Sequence, residues 1–288
     1  MKFCIVILHY NLFEDTIKCI ESIKKCNKKK NSVEIIVVDN ASTNGSGENL
    51  DCEYKLDEQV HIIKNKSNEG FAKGNNLGYR FAKKTYDPDF IILSNNDVIV
   101  EDSDFFEKVI DLFSETDFSV LGPDIYNPLT EIHQSPLFIN LKIDQYYVEK
   151  RLKKIKIRIF RDKLLKHFPN LSNQLNAIYQ KSKQNGRQHD VLLENACLHG
   201  AFWIFSNHFL DVFPSGLYDQ TFMYGEEEIL LHQCQRKKLK MIYSPMIQIL
   251  HYEGKSTEEK YKDYYRANMF KNRQMEKSMH LLAELINE

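Results

Sequence analysis

Several short polar clusters, each set against an apolar run, hold the residue types in this chain that do chemistry. Asp97 ends Ser94-Asn95-Asn96-Asp97, directly after an apolar stretch. A carboxylate flanked by carboxamides is an all-oxygen set suited to Mg2+ or Mn2+. Such an ion neutralises a diphosphate as it departs. The same Asn-Asn-Asp is also common turn chemistry that caps a following helix. Asp39 closes Ile35-Ile36-Val37-Val38, where a carboxylate accepts a ring N–H of uracil or thymine, or a ribose hydroxyl; helix capping is the competing role. Asn68-Glu69-Gly70-Phe71-Ala72-Lys73-Gly74-Asn75-Asn76 has the small residues and carboxamides of a helix start that takes phosphate or nucleoside oxygens, which makes Asn68, Gly70, Lys73 and Asn76 candidates. Its glycine spacing is neither that of a Walker A loop nor that of the dinucleotide fingerprint. Gly225-Glu226-Glu227-Glu228 opens an apolar helical run. The three acids serve either as a helix N-terminal charge cluster or, in one of them, as a general base. His251 follows the apolar segment 241–250, where an imidazole completes a metal site begun by a distant carboxylate or is simply structural.

These groups need a scaffold that brings them together, and the first hundred residues supply one. Phe3–Leu8, Glu34–Val38, Val60–Lys64 and Asp89–Leu93 have strand length and are apolar throughout, as in strands buried on both faces. Helical spacing over Phe13–Cys26 and Gly70–Lys84 alternates with them. Repeated β-α-β at this spacing predicts an α/β fold with a mostly parallel twisted sheet flanked by helices. Ligands of such sheets bind beyond the carboxyl ends of the strands. His9-Tyr10-Asn11, Asp39-Asn40 and Asn95-Asn96-Asp97 all fall at strand ends and define one pocket. A helix is expected over Asp104–Phe113 and a strand over Ser119–Pro123. The α/β pattern resumes near Glu194, and terminal helices are expected over Glu258–Glu288.

Composition narrows the function classes. The 288 residues are 42% hydrophobic and 12% aromatic, which excludes a disordered chain. The net charge of -1 gives no general preference for nucleic acid. No stretch approaches the roughly twenty apolar residues of a spanning helix. The six scattered cysteines read as reduced thiols, and the chain is expected to be cytoplasmic.

In this order the motifs resemble glycosyltransferase family 2, whose members have the GT-A fold. The resemblance rests on Ile-Leu-His-Tyr-Asn (7–11), Val-Val-Asp-Asn-Ala-Ser (37–42), Asn-x-Gly-Phe-Ala-x-Gly-Asn-Asn (68–76) and Leu-Ser-Asn-Asn-Asp (93–97). Gly-Ala-Phe (200–202), Phe-Met-Tyr-Gly-Glu-Glu (222–227) and His-Tyr-Glu-Gly-Lys-Ser (251–256) complete it. It implies a nucleotide-sugar-binding half over 1–122, a variable region over 123–193 with a basic helical insertion, an acceptor and catalytic half over 194–257, and a C-terminal segment over 258–288. It further implies that Asp39 contacts the nucleobase side of a UDP- or dTDP-sugar, that Asp97 and His251 hold Mn2+ or Mg2+, and that Glu227 is the catalytic base. The implied reaction is inverting transfer to a hydroxyl of a glycan or lipid-linked glycan, as in cell-surface polysaccharide assembly. Asn95 stands where the family's first metal-motif acid is usual, Glu227 replaces an aspartate, which leaves Glu226 as a rival for the base, and Ile229 stands where a third acid often follows. A sugar nucleotidyltransferase would carry a Gly-rich, basic loop after the first strand, where this chain has His9-Tyr10-Asn11-Leu12. A non-catalytic glycan- or nucleotide-binding module would not need the Glu226–Glu228 acids.

One segment stands apart in charge. Lys150–Lys166 holds nine Lys and Arg against one acid, Asp162, with Leu152, Ile155, Ile159, Phe160, Leu164 and then Phe168 at roughly helical spacing. It reads as a solvated helical face, as a segment lying on an anionic membrane at the inner face of the plasma membrane, or as an oligomerisation element. Phe202 and Trp203 read either as a platform for a sugar face or as core.

Overall fold

Side-chain alternation along the first strand sets the architecture. β1 (Lys2–His9) sends Phe3, Ile5 and Ile7 to one face and Cys4 and Val6 to the other, all of them buried. A strand with two covered faces has no polar side to show, which is why the run is continuously apolar. The first face is covered by α1 (Phe13–Cys26) and α4 (Phe105–Thr116), which contribute Cys19, Ile20, Phe105, Phe106 and Val109. The second is covered by α3 (Gly70–Tyr86), whose Gly78 lies so close to the sheet that a Cβ there would come within 2.4 Å of Val6. The computed structural model describes residues 1–27, 31–166, 188–252 and 264–288.

β2 (Ser32–Asp39), β3 (Val60–Lys64) and β4 (Phe90–Asn95) join β1 in the order β3-β2-β1-β4, all parallel, as the β-α-β pattern predicts. The register pairs His9 with Asp39 and Leu8 with Asn95, so the polar strand ends fall on one edge. Beyond β4 the sheet becomes mixed. After β6 (Val120–Asn127) come the two-residue strands β7 (Ile132–His133), β8 (Phe138–Ile139), β9 (Leu193–Glu194) and β10 (Ala196–Cys197). β11 (Phe202–Ser206) then enters antiparallel between β4 and β6, and β12 (Met241–His251) runs parallel to β6. The two-residue β5 (Val98–Ile99) pairs antiparallel with the end of β12, Val98 opposite His251. β6 is longer than predicted, running four residues past Pro123 to Asn127 and buried over most of that length.

A short α2 (Ser46–Glu53), weakly amphipathic and held by Leu50 in the core, has no clear sequence signature. The basic segment is a helix as expected: α5 (Gln145–Leu165) starts at Asp144, whose carboxylate accepts the Tyr147 N–H at 2.9 Å and satisfies one of the helix's orphan donors. It packs along the C-terminal helix Tyr264–Asn287, to which Asp162 is tied by the Asn272 amide at 3.0 Å. Phe168, the motif residues 253–256 and positions 258–263 of the expected terminal helices lie outside the described residues. Phe202 and Trp203 are core: both are buried, with Trp203 edge-on to Phe71 and Phe205.

Candidate active site

The loops after β1, β2 and β3 are locked to one another by carboxamides. Asn11, in the left-handed region at φ 63°, accepts the Thr43 N–H on its side chain at 2.9 Å, while its own N–H donates to Ser42 Oγ. The buried Asn40 donates to the Gly70 carbonyl at 3.0 Å and accepts from the Glu69 N–H at 3.1 Å. Asn68 Oδ1 accepts the Gly70 N–H. Gly70 itself has φ +81°, and a Cβ there would stand 2.1 Å from the Phe222 carbonyl oxygen, which accepts the Phe71 N–H at 2.7 Å. The glycine therefore docks the start of α3 against the loop that precedes the acidic cluster. Asp39 is buried beneath this ensemble, with one oxygen held by the Ser42 N–H at 3.0 Å. Tyr10 is half-buried at the same edge, and Lys73 is exposed on the first turn of α3.

Three candidates are placed for structure instead of ligand contact. His9 is fully buried, and its two ring nitrogens meet Thr16 Oγ1 at 2.7 Å and Ser46 Oγ at 2.8 Å, so neither is left for a donor. Burial disfavours its charged form and moves its pKa down to about 4. Asn76 clamps Leu217 through two bonds of 2.7 Å, one donated by its amide to the Leu217 carbonyl and one accepted from the Leu217 N–H. The Asn96 amide donates to Thr16 Oγ1 at 3.0 Å beneath the surface. In each case the polar group was legible and its direction was not. Asn95 is half-buried at the end of β4, where its N–H donates to the Ala201 carbonyl.

Asp97 and His251 do come together, and the sheet is the reason. Because β5 pairs with the end of β12, Asp97 lies next to His251, with the Tyr252 N–H donating to the Asp97 carbonyl at 3.0 Å. His251 Nε2 is 3.3 Å from Asp97 Oδ1, and both residues are buried. The other ring nitrogen, Nδ1, is 2.8 Å from Gln134 Oε1. With Nδ1–H donated to that oxygen, Nε2 turns a lone pair toward a carboxylate, and only a proton or a cation fits between two acceptors. Cis ligands about 2.1 Å from a Mg2+ ion are themselves about 3 Å apart, so the spacing suits a shared ion. Among the described residues no cluster of three or more His, Cys, Asp and Glu side chains forms.

The acids sit on the first turn of the helix Glu226–Lys237, where the helix dipole favours negative charge. Each has a different surrounding. Glu228 is buried and paired with Arg151 of α5 at 3.0 Å. Glu226 is buried, with Oε1 unbonded among the described residues. Glu227 is half-buried and faces Gly200, where a Cβ would come within 3.0 Å of its Oε1. The neighbouring His199 ring is 5.5 Å from that of His251. Glu227 is thus linked to the Asp97–His251 pair only by way of Gly200 and His199, whereas Glu226 is buried in the protein. Burial raises the carboxyl pKa of both, and each is pushed further by the adjacent acid. Lys271, on the C-terminal helix and 5.2 Å from the Tyr224 ring, pulls Glu227 back down.

Sequence reading missed Gln134, which orients His251, and Arg151, which neutralises Glu228. Gln134 lies in a short irregular stretch with no periodicity, and Arg151 is one of nine cations in a run. It also missed Asp124, fully buried on β6 and held by His133 and Gln248 at 2.9 Å.

Parallel strands ending in a polar edge, followed by an antiparallel insertion that returns beside the first half, define the GT-A class of transferase fold. The match to the glycosyl transferase family 2 model runs over residues 4–185, and the chain belongs to that family. Glycosyltransferase GlyG of Streptococcus pneumoniae serotype 4 is 29% identical over 123 residues, 43% of this chain and 38% of GlyG, so the chain spans well under half of that relative. The crystal structure of S. aureus TarS 1-349 superposes with a TM-score of 0.52 at 11% identity, covering 88% of this chain and 59% of that one. TarS 1-349 in complex with UDP-GlcNAc matches at a TM-score of 0.38 and 18% identity over 50% of this chain and 37% of that one.

Proposed function

We propose that the chain is an inverting glycosyltransferase that moves a sugar from a UDP- or dTDP-sugar to a hydroxyl of a glycan or lipid-linked glycan. The observation that supports this reading is the buried Asp97–His251 pair, with Glu227 on the turn beside Gly200 and His199. Asp39 and the loops around Tyr10, Asn11 and Asn68–Lys73 hold the nucleoside end of the donor. Asp97 and His251 hold a Mg2+ or Mn2+ ion, which when bound supplies positive charge against the leaving diphosphate. Glu227 accepts the proton of the acceptor hydroxyl. The hydroxyl oxygen bonds to the anomeric carbon as that carbon's bond to the phosphate oxygen breaks, and the nucleoside diphosphate leaves with the electron pair. A raised carboxyl pKa makes Glu227 a stronger base than a free glutamate and is the direction such a step needs.

The test is release of nucleoside diphosphate from a panel of UDP- and dTDP-sugars, with Mn2+, Mg2+ or EDTA. One donor is expected to turn over with metal, and Asp97→Ala and Glu227→Gln are each expected to reduce turnover by about a hundredfold or more. Full turnover in EDTA, or by Asp97→Ala, would overturn the reading.

A further inference from the structure

The outward face of α5, where an ordinary surface helix is polar throughout, carries large apolar side chains among its cations. Val148, Leu152, Ile155, Ile159 and Asp162, spaced four, three, four and three apart, point inward and pack against the body. The line opposite them carries Tyr146, Ile157, Phe160 and Leu164, exposed by 71%, 59%, 65% and 53%. Single exposed apolar residues are normal on a protein surface, but a row aligned on one helix is not. Cations border the row on both sides: Lys150, Lys154 and Arg161 along one edge, Lys156 and Lys163 along the other, all exposed. Lys153, also exposed, lies within the row itself. An apolar ridge flanked by lysine and arginine suits a helix lying in the plane of a bilayer. The ridge enters the headgroup boundary there, and the cations meet lipid phosphates.

We propose that α5 is a membrane-contact helix for an anionic lipid surface. The choice of partner follows from charge complementarity, since Lys150–Lys166 sets nine basic residues against one acid. That acid, Asp162, is buried and already engaged by Arg161 and Asn272. The helix's other acid, Glu149, is exposed beside the row, so the outward side still sets Lys150, Lys153, Lys154, Lys156, Arg161 and Lys163 against a single carboxylate. The helix is also firmly mounted. Arg151 on its inner side is paired with Glu228, next to Glu227, and this fixes the site's orientation relative to the surface that α5 rests on. The proposal does not rest on the assignment of the transfer reaction.

Co-sedimentation of the full chain with phosphatidylcholine vesicles, with and without phosphatidylglycerol, tests it. Binding is expected only to the anionic vesicles and is expected to weaken as salt rises. Each cation near such a surface is worth about a fivefold change in partitioning at low salt, so Lys153→Gln with Lys156→Gln should lower it about 25-fold. Ile157→Ser with Phe160→Ser should lower it at least about tenfold with the charge untouched. These side chains are exposed, so the melting temperature and donor hydrolysis in solution should stay as in wild type. Equal partitioning to neutral and anionic vesicles would overturn the proposal, as would undiminished binding by the Ile157/Phe160 variant. So would failure to bind vesicles while the chain forms a dimer that the Ile157/Phe160 variant abolishes.

Discussion

Arg151→Met is the substitution that best tests how the acidic turn is held. The guanidinium is 3.0 Å from Glu228 Oε1, with side-chain exposures of 21% and 2%. Tyr147 OH adds a longer bond of 3.4 Å to the same oxygen. Removing one partner of a buried pair costs about 3–5 kcal/mol, chiefly because a desolvated charge is left behind. Here the low end applies. Arg151 makes one contact where a fork would make two, since its Nε is buried without a bond among the described residues, and a fifth of its side chain still meets water. A loss of about 3 kcal/mol lowers the melting temperature by about 6–12 °C for a domain of this order of size. Adding Glu228→Gln removes the stranded charge, so the double variant should recover most of the loss, with a coupling of about 2 kcal/mol in urea titrations of the cycle. An unpaired Glu228 also pushes Glu227 further up, so the acid limb of kcat/KM should move to higher pH in Arg151→Met alone. Single losses below about 1 kcal/mol, or losses that merely add, would refute the pairing as the support of this turn.

Two other outcomes follow from the same geometry. Gly70→Ala puts a Cβ 2.1 Å from the Phe222 carbonyl at φ +81°, so the turn must shift. A loss of about 2–4 kcal/mol is expected in calorimetry, with weaker donor binding in nucleotide titrations, and wild-type values for both would count against the docking. The pH dependence concerns Glu226, whose carboxyl burial raises above the usual range. A raised folded pKa means that the carboxyl's stabilising contribution is complete below the ordinary carboxylate range and is lost as pH rises through the folded value. Glu226→Gln should therefore gain stability over wild type at about pH 8 and not at about pH 5, read from urea midpoints; the opposite trend would contradict the burial argument.

What the sequence revealed and what it hid divide along a physical line. β1 and β2 were legible because strands buried on both faces must be apolar throughout, and Asp39 and Asp97 because a carboxylate after such a run is conspicuous. Direction was not legible. His9 stands at the same strand end as Asp39, yet a hydroxyl on α1 and another on α2 occupy both of its nitrogens. Asn76 belongs to the glycine-rich motif, yet both its amide nitrogen and its amide oxygen are bonded to Leu217, far along the chain. Which of three consecutive glutamates faces the site depends on what packs against the helix. Arg151 removes Glu228 from consideration, and Gly200, having no side chain, leaves room for Glu227.

The least conspicuous element has the largest consequence. β5 is two residues long and has no periodicity of its own, yet its pairing with the end of β12 is what sets Asp97 beside His251. In a β-ladder a slip of one residue turns each side chain to the opposite face, so the 3.3 Å separation of Nε2 and Oδ1 depends on the Val98–His251 register. Gln134 then fixes the imidazole's rotation from its other nitrogen, as an outer partner does for a metal-binding histidine. With Asn95 neutral, Asp97 is the one carboxylate of Ser94–Asp97, and the negative charge it would offer an ion at the proposed site is small. An ion is then held well only when diphosphate oxygens complete its sphere, so metal and nucleotide should bind with strong mutual enhancement.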